Sequence, residues 1–168
     1  MAMLDLRRTD VRKNTLENPY WETSGIITPE ADDQEAVLFS YPAEELYGYF
    51  LVTEIAIEAI EAFVGGTLSL NVGVGTIAND DLTTGDTVTA VDSDFYFAAE
   101  SAGIVNPGLA FPAASQFVTD KAAANSSALL LPCVDTDVYC IYASLTSDAI
   151  ITAGQCRIHV LGSYVPVQ

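Results

Sequence analysis

Apolar and polar residues alternate most regularly over residues 67–75, which read TLSLNVGVG. One face carries Leu68, Leu70, Val72 and Val74, and the other carries Thr67, Ser69 and Asn71. An alternation with a period of two is the pattern of a half-buried β-strand. We therefore predict a strand here, with Leu70 and Val72 in the core.

The preceding segment, residues 52–64, reads VTEIAIEAIEAFV and fits either a helix or a strand. Its Ala and Glu content favours a helix. A helix would, however, stack Glu54 on Glu58 as a like-charge pair, and the isoleucines favour a strand. A Gly-Gly pair follows, which is typical of a hairpin turn. We interpret Phe50–Phe63 as a strand that pairs with Thr67–Gly75 in a hairpin.

Further strand-like runs are separated by turn-forming clusters such as NDDLTTGD and GIVNPG. These runs are AVLFSY, DTVTAV, DFYFAA, DVYCIYASL, AIITA and QCRIHVLG. Many short strands of this kind are typical of a β-sandwich or a barrel-like roll. Residues 1–35 show no sustained period. We predict an all-β protein, with a β-sandwich or jelly-roll-like domain over residues 36–168 and an extended N-terminal arm over residues 1–35.

Charge is the most unusual feature of the composition. The 168 residues carry a formal net charge of −17, and four of the six basic residues lie in the first 13. The acidic body is expected to be repelled by nucleic acid and by anionic membrane surfaces. No apolar run approaches the roughly 20 residues of a membrane span, and no secretory signal is recognisable. We expect synthesis in a cytoplasm-like compartment, without nucleic acid or membrane as a partner.

The predicted arm contains the candidate partner-binding residues. They are Arg7, Arg8, Arg12, Lys13, Tyr20 and Trp21. Aromatic side chains outside a core are typical interface anchors, and the cations can pair with carboxylates of a partner. The structural alternative for the basic residues is a solvated tail.

The residue pattern gives little support to an enzyme, a metal site or a cofactor. His159 is the single histidine and lies in an alternating strand, so we interpret it as an ordinary strand residue. The loop NDDLTTGD offers oxygen ligands, but its spacing fails that of a calcium-binding EF-hand, and turn formation explains its composition. Cys133, Cys140 and Cys156 fit small buried hydrophobic residues, although a Cys140–Cys156 bridge is geometrically possible. We predict no catalytic residues, no metal and no cofactor.

The run from Val52 to Asp81 resembles a pattern in small virion proteins of tailed phages. The residues that carry the resemblance are Glu61-Ala62-Phe63, Gly65-Gly66-Thr67, Val74-Gly75 and Asn79-Asp80-Asp81. The later runs DTDVYCIYASL and QCRIHVLGSYVPV also resemble the terminal strands of that family. The likeness extends over residues 45–168 and is most marked over 50–82, where Val64 replaces the usual acidic or Asn residue.

The resemblance implies a capsid decoration or cement protein, located on the capsid exterior of the virion. Such a protein would act as a homotrimer and would have the major capsid protein as its partner. In this interpretation the arm residues bind the coat, and the acidic β domain faces outward. The alternative is a carbohydrate- or receptor-binding β module of a head fibre or tail, for which exposed aromatic residues would form the platform.

Overall fold

A computed structural model describes residues 3–5, 20–28, 34–43, 47–65, 68–82, 87–97, 116–118, 129–147 and 151–166. The described residues form strands, turns and bends, with no helix among them, and none of them forms a helix that could cross a membrane. The strands are β1 (Met3–Asp5), β2 (Tyr20–Thr23), β3 (Gln34–Ser40), β4 (Tyr47–Gly65), β5 (Leu68–Ile77), β6 (Thr89–Phe97), β7 (Gln116–Val118), β8 (Leu129–Pro132), β9 (Val138–Ser147) and β10 (Ile151–Pro166).

The strands form two sheets. The first has the order β1-β3-β9-β5-β6, and the second has the order β2-β10-β4-β7, with β8 also paired to β4. All pairs are antiparallel except β1–β3. From β2 onward, early strands pair with late ones: β2 with β10, β3 with β9, β4 with β7 and β8, and β5 with β6. A long hairpin rolled up in this way is a jelly roll, so the predicted fold class is confirmed.

The core lies between the two sheets and follows from alternation along the long strands. Phe50, Val52, Ile55 and Ile57 of β4 are buried together with Leu70, Val72 and Val74 of β5 and Ile158 and Val160 of β10. The ring of Tyr41 stacks on that of Phe50, with 4.2 Å between centroids. The predicted burial of Leu70 and Val72 is therefore confirmed.

The predicted hairpin between β4 and β5 is wrong, although both segments are strands. β5 pairs with β9 and β6 in the first sheet, whereas β4 lies in the second. The reason is competition for the edges of β4: β10 occupies one edge, and β7 and β8 occupy the other. The chain therefore crosses from one sheet to the other after Gly65.

Part of the segment predicted as an arm belongs to the sandwich. Residues Tyr20–Thr23 pair with β10, and Ile27 is fully buried and bridges to Cys156. Met3–Asp5 pair with β3. The rest of residues 1–35, apart from 24–28 and the start of β3, lies outside the described residues, so the boundary at residue 35 stays a prediction.

The β4–β10 pair is the longest in the fold and supports the surface described below. Its register shifts between Leu161 and Gly162, so that Thr53 and Glu54 lie opposite Leu161. Gly162 is required by close approach, since a Cβ there would lie 2.5 Å from the carbonyl oxygen of Leu51 and 2.6 Å from the Phe50 ring. The two strands consequently hold their outer faces in a fixed register.

Candidate partner-binding face

The outer face of the second sheet presents side chains from β2, β10, β4 and β8. Alternation sets this face, because Phe50, Val52, Val160 and Tyr164 point into the core. The cross-strand neighbours on the outer face are Trp21 with Leu161, Thr23 with His159, Ser163 with Leu51, Leu51 with Leu130, and Val165 with Tyr49. This face divides into a polar half and an apolar half.

The polar half is a chain of contacts between Thr23, His159, Glu58 and Arg157, here called the histidine network. Nδ1 of His159 lies 2.9 Å from Oγ1 of Thr23, and Nε2 lies 2.9 Å from Oε2 of Glu58. Because the carboxylate only accepts, Nε2 of His159 donates to Glu58. One imidazole thereby joins β2, β10 and β4.

Arg157 completes the histidine network from the side of β10. Its Nε lies 3.0 Å from the same Oε2 of Glu58, at an angle that gives an ion pair rather than a directed hydrogen bond. Glu58 is partly buried, so its charge is less screened than that of a fully exposed carboxylate.

Trp21 covers the histidine network. Its ring meets that of His159 edge to face, at 6.5 Å between centroids and 84° between planes. The buried imidazole lies beneath it, whereas the Trp21 side chain remains 48% exposed. A half-exposed tryptophan with a fixed backbone and a fixed neighbour would lose little conformational freedom if another surface covered it.

The other predicted site residues are placed only in part. Tyr20 lies next to Trp21 in β2 and pairs with Gly162, while its side chain is outside the description. Arg7, Arg8, Arg12 and Lys13 lie outside the described residues. Their role in partner binding stays a prediction. His159 lies in a strand, as interpreted from the sequence.

The apolar half consists of Tyr49, Leu51, Leu130 and Val165, here called the apolar patch. Tyr49 is 44% exposed and Leu130 is 48% exposed, and the other two side chains are half-buried between them. Sequence reasoning missed this patch. A signal was present, since the run YGYFLV is apolar at both alternating positions, which indicates a strand with two apolar faces.

Other candidate chemistry is weak among the described residues. The histidine network has the order of a nucleophilic triad, namely hydroxyl, imidazole and carboxylate. It fits a catalytic site poorly, because Arg157 shares the Glu58 oxygen and Trp21 covers the imidazole. No group of three or more His, Cys, Asp or Glu side chains in the described part could hold a metal ion. The three cysteines are buried thiols, as expected for small hydrophobic residues, and burial raises the pKa of Cys156 to about 12.

Comparisons with known proteins give one structural similarity. No protein-family model matches the chain, and no curated protein matches it. A chain of the solved structure described as "Cyanophage Pam1 capsid asymmetric unit" is similar over 95% of this chain and 94% of that chain, with 17% sequence identity and a TM-score of 0.45.

Proposed function

We propose that this chain is a virion structural protein of a tailed phage, a decoration or cement protein that binds the outer surface of the head as a homotrimer. The observation that carries the proposal is Trp21, half exposed and fixed over the histidine network on a sheet face that also bears the apolar patch. Such a surface is suited to binding another protein. The sequence resemblance to phage virion proteins supplies the kind of partner.

The N-terminal residues supply the contact with the major capsid protein in this proposal. The rest of the chain after Arg7, Arg8, Arg12 and Lys13 contains 21 carboxylates and only two basic residues. The acidic body would be repelled by an acidic capsid surface. Attachment through a short basic segment avoids this repulsion. Exposed charge pairs each contribute little, so Trp21 and Tyr20 are expected to contribute most of the affinity.

A trimer suits the proposed location. Homo-oligomers usually have closed symmetry, and a three-fold assembly matches the three-fold positions of an icosahedral shell. The strongly acidic body also argues against nucleic acid and anionic membrane as partners.

The second candidate function is a carbohydrate- or receptor-binding module of a head fibre or tail. It is favoured by the same exposed indole, since aromatic rings can stack on sugar rings while Thr23 and Glu58 nearby offer polar groups. These polar atoms already bind His159, however, so a sugar would have to displace contacts within the histidine network. Binding to undecorated heads without binding to glycans separates the two functions.

The experiment is a binding titration of the purified protein on heads that lack it. Trp21→Ala should weaken binding by about 2 kcal/mol or more, roughly 30-fold, because it removes an aromatic anchor. Replacing all four N-terminal cations with serine should weaken binding less and should reduce its dependence on salt.

Ile26→Ala is the matched control, because Ile26 is an equally exposed apolar residue in the segment that follows β2. It should bind heads like the wild type. Normal head binding by Trp21→Ala, or no binding by the wild-type protein, would refute the proposed attachment.

A further inference from the structure

The apolar patch lies in a region without charge. Residues 49–53 of β4, 163–166 of β10 and 129–132 of β8 contain no charged side chain. These three stretches are adjacent, because Leu51 pairs with both Ser163 and Leu130. In a chain with a net charge of −17, an uncharged surface on three neighbouring strands needs a physical reason.

We infer that the apolar patch is the surface through which copies of this chain bind each other. Identical acidic bodies repel each other, and at physiological salt this repulsion acts mainly between charges within about 8 Å of each other, as at a contact between copies. Contact through the apolar patch brings Tyr49 and Leu130 of different copies together without placing carboxylates opposite one another. A cationic partner would bind most favourably to the acidic parts of the surface. The uncharged part is therefore better suited to contact with an identical acidic copy.

The size of the apolar patch fits the centre of such a contact. Side chains about half exposed, such as Tyr49 and Leu130, offer on the order of 100 Å² each, and patches of a few hundred Å² on a monomer often mark interfaces. A stable interface buries about 800 Å² per partner, with a polar rim around the apolar centre. Exposed Thr53 and partly exposed Glu54 lie where that rim would be.

This inference rests on the proposed function, because it names the self-contact of the proposed homotrimer. It uses a different part of the sheet face from the coat contact. Trp21 is on β2, at one edge of the sheet, whereas Leu130 is on β8, on the far side of β10 and β4. A trimer whose contact extends from the apolar patch away from β2 leaves Trp21 available to the capsid.

The test compares the oligomeric state of the full chain with that of Leu130→Glu by sedimentation equilibrium. The wild type should be a trimer at micromolar concentration. Leu130→Glu should associate at least tenfold more weakly, because each contact would then bury a carboxylate against another copy of an acidic chain. Tyr49→Glu on the adjacent strand should have the same effect.

Val91→Glu is the matched control, because Val91 is 59% exposed on β6 of the other sheet. It adds the same charge and should leave association unchanged. A monomeric wild type, unchanged association in both patch variants, or equal weakening by Val91→Glu would overturn the inference. Circular dichroism establishes that each variant is folded.

Head binding distinguishes this inference from the proposed function. If the wild type binds heads and Leu130→Glu still forms trimers, the proposed self-contact is contradicted and the capsid function is not. A wild type whose oligomer depends on Leu130 but which does not bind heads supports the self-contact and contradicts the capsid function. An oligomer that depends on Leu130 but is a dimer supports the surface and contradicts the trimer.

Discussion

His159→Ala tests how the exposed tryptophan is held. The imidazole is buried and lies between the Thr23 hydroxyl, the Glu58 carboxylate and the edge of Trp21. Its removal breaks the connection from β2 through β10 to β4. We expect the free energy of unfolding to fall by about 2–4 kcal/mol, with Trp21 less firmly positioned in the protein that remains folded.

The magnitude follows from the individual contacts. The hydrogen bond with Thr23 contributes about 1 kcal/mol net, and the bond with the charged Glu58 contributes about 1.5–3 kcal/mol. The loss at Glu58 is limited because Arg157 stays 3.0 Å from the same oxygen. Thr53→Ala is the control: its hydroxyl donates 3.0 Å to the carbonyl of Leu161 at an exposed position and should contribute less than about 1 kcal/mol.

The assay is urea unfolding of the single and double variants of Thr23→Val and His159→Ala. Residues in direct contact should show a coupling energy of at least about 0.5 kcal/mol. His159→Ala should also weaken head binding with Trp21 intact, whereas Thr53→Ala should not. A loss of stability below about 0.5 kcal/mol, or additive single effects, would show that the histidine network does not hold β2.

Three further predictions concern the fold. Gly162→Ala should destabilise the protein by about 1–3 kcal/mol in urea unfolding, since the new Cβ would overlap the Phe50 ring and the backbone of β4; an unchanged midpoint would contradict the close approach. Burial raises the pKa of Glu35 above its ordinary value of 4.5, and a backbone hydrogen bond at Val88 lowers it by less. The protonated carboxyl therefore contributes to stability below about pH 4.5, and this contribution is lost as the pH rises through the pKa of the folded protein. Glu35→Gln should therefore raise the melting temperature at pH 7 and not at pH 4, and equal shifts at both values would refute this. The thiol of Cys156, with its raised pKa, should react with a thiol reagent only after unfolding, and rapid reaction of the native protein would contradict its burial.

The fold class and the strands were predictable because alternation is a local property of the chain. The period of two around Leu70 and Val72 identified β5 and its buried face. Strand pairing was less predictable, since it depends on which distant segment occupies an edge. The Gly-Gly pair after β4 suggested a hairpin, but β10, far along the chain, pairs with most of β4.

The candidate surface was predicted only where an aromatic residue stood outside a periodic segment. Trp21 was selected for that reason, and it is half exposed. Its position over His159 could not be read from the sequence, because the two residues are separated by most of the chain and meet only through β2–β10 pairing. The apolar patch was missed because exposure of Tyr49 and Leu130 depends on which sheet face is covered, and composition does not reveal that.

The most direct test of the proposed capsid function is a cryo-EM reconstruction of a phage particle that was assembled with this chain. We predict three jelly rolls around a three-fold position on the outside of the head. Trp21 should face the shell, and the apolar patches should meet between copies. A particle whose head lacks this density, or which carries the chain only in its tail, would contradict the proposed function.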